Sequence, residues 1–139
     1  MQEHGLGSLC YAVDHWPGDE HTGRYGEEVF EDEKQYNDRY YKRSSYLLRT
    51  GFDDAVSRFG DSSIGLLHID GLHTYEAVSH DFRTWLPKVK PGGSVLLQGI
   101  CPKYPGFGVW RRWDDSFHSK AQQNQALPAV AEAQIARRK

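Results

Sequence analysis

The chain has 139 residues, of which 38% are hydrophobic, and it carries 17 basic and 19 acidic side chains. A chain of this length can bury one core, and we expect one domain over residues 1–117. The nearly balanced charge gives no strong field to attract nucleic acid or an anionic membrane, so neither is expected as a partner.

The two cysteines and the amino terminus indicate where the protein resides. Cys10 and Cys101 lie far apart, without a metal-ligand or redox spacing. The first ten residues lack the pattern of a signal peptide, and no apolar run reaches membrane-spanning length. We therefore expect a cytoplasmic protein.

The first half of the chain alternates apolar segments with a helix-compatible one. An acidic residue, Asp14, directly follows the first apolar segment, as at the end of a buried strand. The predicted elements are a strand at 9–13, a loop at 15–23, a helix at 27–41, a strand at 46–49 and a helix at 53–59.

The second half contains a complete strand, helix, strand unit over residues 64–100. Apolar runs at Ile64–Ile69 and Ser94–Leu97 are typical of strands buried in a parallel sheet, and the turn at 91–93 stops the chain before the second run. A helix containing Val109 follows. The alternation predicts an α/β fold, with a mostly parallel sheet between helices in three layers.

The last stretch, residues 118–139, is rich in Ala and Gln and is interrupted by Pro128. This composition predicts a frayed helix or disordered tail that supplies no strand.

Several motifs occur in an order that resembles the class I S-adenosylmethionine-dependent methyltransferases. Residues 70–76, DGLHTYE, match the branch of that family whose fourth strand runs into a D-G-x-H-x-Y-E motif. Residues 14–23, 90–93 and 106–110 are similar to further segments of the family, so the resemblance covers about residues 6 to 117. It implies a Rossmann-like methyltransferase sheet and S-adenosylmethionine as the cofactor.

The chain departs from this family at both ends of the sheet and at one strand end. The first strand with its Gly-rich cofactor loop and the last strands have no counterpart, which implies the strand order third, second, fourth, fifth. The place of the first strand is then empty or closed by its neighbours. Uncovered sheet surface predicts marginal stability or self-association. At the end of the fifth strand Gly99 replaces a carboxylate common in relatives.

The resemblance implies roles for five residues. Asp14 would bind the ribose hydroxyls, Gly51 and Phe52 would lie near the adenine, Asp70 would contact the cofactor and act in catalysis, and His73 would act as general base. Asp14 could instead cap a turn, and Phe52 could be a core residue.

Asp70 is also a candidate ligand for Mg²⁺ or Mn²⁺. With one carboxylate we expect weak metal binding, which Gly99→Asp should tighten.

For four further polar residues we expect a structural role or solvent exposure rather than a role in a site. We expect His68 to pack under a helix, Glu76 to cap or begin one, and His80 and Asp81 to lie on or near its solvated face.

Two classes of function remain. The first is a methyltransferase, complete or inactive, that acts on an oxygen or nitrogen of a small-molecule or sugar-like acceptor. The second is a noncatalytic binding or interaction domain. A metal-dependent hydrolase built on His68, Asp70 and His73 ranks lower, as does a nicotinamide-dependent oxidoreductase that uses Asp14.

Overall fold

The computed structural model describes residues 7–19, 23–100, 104–115 and 129–132. The chain divides into two compact units, Met1–Ala55 and Val56–Lys139. Strands and helices alternate in both, which confirms the predicted α/β class. The expected domain boundary at residue 117 lies outside the described residues and stays a prediction.

The first unit is built on two parallel strands joined by a helix. Asp14 lies opposite Arg49 at the carboxyl ends of these strands. The predicted loop at 15–23 contains a small antiparallel pair of two-residue strands, which the sequence did not indicate. The elements are β1 (Cys10–Asp14), β2 (Gly18–Asp19), β3 (Gly23–Arg24), α1 (Glu27–Tyr40), β4 (Ser45–Arg49) and α2 (Phe52–Val56).

One buried polar side chain ties α1 to the strand that follows it. Acidic residues fill the first turn of α1, where the helix dipole favours them. Asn37 is the buried residue of this helix, and its Nδ2 donates a hydrogen bond to the carbonyl oxygen of Ser45 at 3.1 Å. This bond fixes the helix against the start of β4.

The second unit holds three parallel strands in the order β5, β6, β7. They are β5 (Ile64–Ile69), β6 (Val89–Leu97) and β7 (Ala129–Glu132), with α3 (Tyr75–Trp85) and a 3-10 turn at Leu86–Lys88 between β5 and β6. Residues 109–115 are helical, as predicted. The expectation that residues 118–139 supply no strand is wrong, because β7 extends the sheet beside β6.

The turn at residues 91–93 lies inside β6 rather than before it. Ile64 pairs with Val89 and Leu66 with Ser94, so β6 bulges between these two pairs. Gly92 adopts φ 77°, and a Cβ on Gly93 would come within 2.8 Å of the Val89 side chain. The glycines therefore permit a bulge at the point where the sequence predicted a stop.

Each unit has a strand with one unpaired edge among the described residues. Among the described residues, β1 pairs only with β4, and β5 pairs only with β6. Tyr11 on β1 and Leu66 on β5 are 43% and 59% exposed. These pairings within each unit are those expected from the sequence, and self-association stays a prediction.

The core of the second unit forms between its strands, α3 and the helical segment 109–115. Val95 and Leu97 on β6 are fully buried. The cluster comprises Ile69, Val78, Phe82, Val89, Val95, Leu97 and Val109.

Replacing a fully buried core residue should cost far more stability than replacing an exposed one of the same type. We expect Leu97→Ala to lower the free energy of unfolding by about 2–5 kcal/mol, since it leaves a cavity. Leu66→Ala, the matched control at an exposed position of β5, should change the free energy of unfolding by less than about 0.5 kcal/mol. Urea unfolding followed by circular dichroism checks both, and similar losses would contradict the described core.

Candidate functional site

The Asp14 carboxylate is held in one orientation by a turn. Its Oδ1 accepts hydrogen bonds from the Trp16 backbone N–H and from Nδ1 of His15, both at 2.9 Å. Such a turn is a common role for Asp after a strand. Asp14 does cap a turn, and because both bonds engage Oδ1, neither uses its second oxygen.

Trp16 anchors this turn to α1. It adopts φ 66°, which is uncommon for a large side chain, and it is buried. Its indole N–H donates to Glu33 at 2.9 Å, and its ring packs edge-on against Phe30 at 5.0 Å. Trp16 was not predicted from the sequence as a residue that positions the candidate ribose ligand, although it stands only two positions after Asp14.

The candidate adenine residues lie at the same edge of the sheet as Asp14. The Thr50 N–H donates to the Asp14 carbonyl oxygen at 2.9 Å, so the chain turns there beside the end of β1. Gly51 follows, and Phe52 begins α2 with its side chain half-buried. The structure therefore brings Asp14, Gly51 and Phe52 to one edge of the first unit.

An ion pair stands beside this edge. Arg49 binds both carboxylate oxygens of Glu27, with Nη2 to Oε2 at 2.6 Å, and its guanidinium lies 4.3 Å from the Phe30 ring. Hydrogen bonding to Arg49 holds the pKa of Glu27 below its ordinary value, and Glu27 raises the pKa of Arg49. Because both groups are exposed, the pair orients Arg49 more than it stabilises the fold.

In the second unit, Asp70 and His73 meet in the loop after β5. The distance from Asp70 Oδ1 to His73 Nε2 is 3.6 Å, which is longer than a hydrogen bond and makes an electrostatic contact. The His73 side chain is 18% exposed and that of Asp70 is 39% exposed. A largely shielded imidazole beside a carboxylate can accept a proton from a bound hydroxyl.

The segment around Phe107 holds the imidazole of His73. The two rings stack at 4.9 Å with an interplanar angle of 19°. The Gly108 N–H donates to the His73 carbonyl oxygen at 2.7 Å. The Phe107 role was not found from the sequence, because 34 positions separate it from His73.

The start of α3 is fixed by a cap and by the helical segment 109–115. Thr74 Oγ1 accepts from the Ala77 N–H at 3.2 Å, as an N-cap residue does. The Tyr75 hydroxyl donates to Asp115 at 2.7 Å, and the Arg111 guanidinium lies 4.5 Å from the Tyr75 ring. Segment 104–115 thus contacts residues 70–76 at both His73 and Tyr75.

Of the four polar residues expected to lie outside a site, the structure confirms the predicted environment of two and corrects that of the other two. Glu76 lies in the first turn of α3, and His80 is exposed, as expected. His68 does not pack under a helix but is exposed on β5. Asp81 does not face solvent, because α3 turns this side chain inward and it is 8% exposed.

The described residues do not fit a hard divalent cation. Among them, no group of three or more His, Cys, Asp or Glu side chains is arranged to hold a metal ion. Asp70 offers one carboxylate and contacts an imidazole, whereas Mg²⁺ and Mn²⁺ prefer several oxygen ligands.

The Asp14 turn predicts different effects for two substitutions. Asp14→Ala removes the acceptor for the Trp16 N–H and should lower the free energy of unfolding by about 1 kcal/mol. Asp14→Asn keeps an oxygen at the position of Oδ1 and should lower it by less than half as much. Urea unfolding measures both values, and an unchanged free energy of unfolding in Asp14→Ala would show that the turn contributes nothing.

Close packing at Gly108 predicts a large effect for a single methyl group. A Cβ there would lie 2.5 Å from the Tyr75 Cβ and 2.7 Å from its Cα, so Gly108→Ala should destabilise the protein by about 1–3 kcal/mol. Gly60→Ala is the control, because no atom lies within 4 Å of its added Cβ. Thermal unfolding should separate the two, and a neutral Gly108→Ala would contradict the contact.

Two comparisons with known proteins found matches. A family model described as "Methyltransferase domain" matches residues 1–99, which include Asp14 and the segment 70–76. The chain is 45% identical over 108 residues to the uncharacterized protein y4gI of Sinorhizobium fredii. That alignment covers 78% of this chain and 12% of the relative, so the chain spans about an eighth of the relative's length. No solved structure matches the chain.

None of the helices in the described part of the chain is both long enough and apolar enough to cross a membrane. With residues 1–99 matched, the chain belongs to the methyltransferase domain family.

Proposed function

We propose that this domain transfers a methyl group from S-adenosylmethionine to an oxygen or nitrogen atom of a small-molecule or sugar-like acceptor. The observation that carries the proposal is the loop after β5, where a shielded His73 stands beside Asp70. This is the edge of a parallel sheet at which ligands bind. The family match supports the type of reaction.

In this proposal the first unit holds the nucleoside part of the cofactor. Asp14 accepts hydrogen bonds from the ribose hydroxyls through the oxygen that its turn does not engage. Gly51 and Phe52, at the same edge, provide the surface for the adenine. When bound, S-adenosylmethionine supplies a methyl group activated by its positively charged sulfur, and Asp70 is a further candidate contact.

His73 provides the proton chemistry. Its neutral imidazole takes the proton from the acceptor O–H or N–H as the acceptor lone pair bonds to the methyl carbon and the carbon–sulfur bond breaks. Asp70, 3.6 Å from Nε2, stabilises the imidazolium that forms. Transfer of this kind depends mainly on positioning and on removal of one proton.

The alternative is a noncatalytic binding domain that keeps the sheet. It is favoured by one observation: Gly99, which adopts φ 86°, leaves no space for a side chain beside the His73 ring, so position 99 supplies no functional group. Methyl transfer by the cofactor-bound chain separates the two functions.

The proposal predicts Asp14-dependent binding of S-adenosylmethionine. One charge-assisted hydrogen bond contributes about 1.5–3 kcal/mol, so its loss should weaken binding roughly tenfold to a hundredfold. Titration calorimetry should show binding of the cofactor by the chain. Asp14→Ala should weaken it by this factor, and Asp32→Ala, an exposed carboxylate on α1, should leave it intact.

Three outcomes distinguish the hypotheses. Methyl transfer to any acceptor by the chain would support the enzyme. A chain that binds the cofactor but transfers no methyl group in the presence of varied acceptors would favour the binding domain. Equal effects of Asp14→Ala and Asp32→Ala would remove the ribose role.

A further inference from the structure

We propose that the loop after β5 functions without a divalent cation, because the His73 imidazole occupies the space that a metal-binding carboxylate at position 99 would need. Phe107 is the positioning residue that keeps the ring there. The inference concerns the packing of this loop and stands whether or not methyl transfer is confirmed.

The steric argument starts at Gly99, at the carboxyl end of β6. Gly99 adopts φ 86°, a conformation that residues with a side chain rarely adopt. A Cβ on this residue would lie 2.7 Å from His73 Nε2 and in still closer contact with Cδ2. An aspartate at position 99 and the observed ring position therefore exclude each other.

The imidazole cannot easily move away. Phe107 covers one face of it in a stacked geometry, and the Gly108 N–H holds the His73 backbone at 2.7 Å. Gly108 is in turn packed against Tyr75, where even a methyl group would overlap. Displacing His73 would therefore require the segment 104–115 to shift as well.

The chemistry of the donors leads to the same conclusion. Asp70 is the acidic side chain of this loop, and its Oδ1 contacts His73 Nε2 at 3.6 Å. A hard cation that replaced this contact would gain one carboxylate and one imidazole, and would depend on water for its other ligands. The arrangement favours an imidazole as the partner of Asp70 over a metal ion.

The test compares Mn²⁺ binding by the wild-type chain with that of four variants: Gly99→Asp, His73→Ala, His73→Ala/Gly99→Asp and Phe107→Ala/Gly99→Asp. Free Mn²⁺ is counted by electron paramagnetic resonance, and thermal unfolding is recorded with and without the metal. Gly99→Ala is the matched control, because it adds the overlap with His73 without the carboxylate.

The overlap with His73 reverses the prediction made from the sequence, that Gly99→Asp tightens metal binding. We expect Gly99→Asp to lower the melting temperature as Gly99→Ala does and to bind Mn²⁺ no more than about twofold more tightly than wild type. Removing the ring as well should relieve the overlap and pair two carboxylates, so His73→Ala/Gly99→Asp should bind at least about tenfold more tightly and be stabilised by Mn²⁺. His73→Ala alone should bind as weakly as wild type. Phe107→Ala/Gly99→Asp should lie between the single and double variants, because the ring can then turn aside.

Three results would overturn the inference. Tenfold tighter binding by Gly99→Asp alone, with unchanged melting temperature, would show that the imidazole does not obstruct the site. No gain in His73→Ala/Gly99→Asp would show that position 99 does not face Asp70. If Phe107→Ala/Gly99→Asp behaves like Gly99→Asp, Phe107 does not position the ring.

Discussion

The close approach of two backbone segments at Gly108 is the constraint on which the site of the second unit depends. Its N–H donates to the His73 carbonyl oxygen, and its Cα packs against the start of α3 at Tyr75. Only a residue without a side chain permits both contacts. They place Phe107 over the imidazole of His73, so backbone packing determines where a reactive side chain stands.

Both units orient a polar group at a strand end through the packing of an aromatic residue. Asp14 ends β1, and Asp70 directly follows β5. In the first unit the Asp14 carboxylate accepts a hydrogen bond from the backbone of Trp16, whose indole is buried. In the second unit Phe107 stacks on the imidazole of His73, which contacts Asp70.

Much of the fold followed from local sequence patterns, and most of the site did not. The runs at Ile64–Ile69 and Ser94–Leu97 predicted strands because burial on both faces demands continuous apolar residues. The strands are there, but the expected burial is wrong for β5, in which Ile69 is the one buried residue. The strand at Ala129–Glu132 was missed, because a short segment of small residues pairs only when a neighbouring edge is available. His68 was placed in the wrong environment, since its exposure depends on what covers the edge of β5.

The positions of Asp14, Asp70 and His73 at strand ends were predictable from the motifs and from the order of strands and helices. Their immediate surroundings were not. The overlap between position 99 and the ring of His73 depends on the conformation of Gly99 and on Phe107, which is distant in sequence. No local periodicity carries that information, because it arises from tertiary packing alone.

The arrangement of the second unit also has a consequence for its order of assembly during synthesis. The described members of its core lie between Ile69 and Val109 in the chain, while β7 begins only at Ala129. Domains commonly fold as their residues emerge from the ribosome. The apolar centre can therefore close before the last strand has emerged, and β7 then adds to an edge of β6 that is already in place.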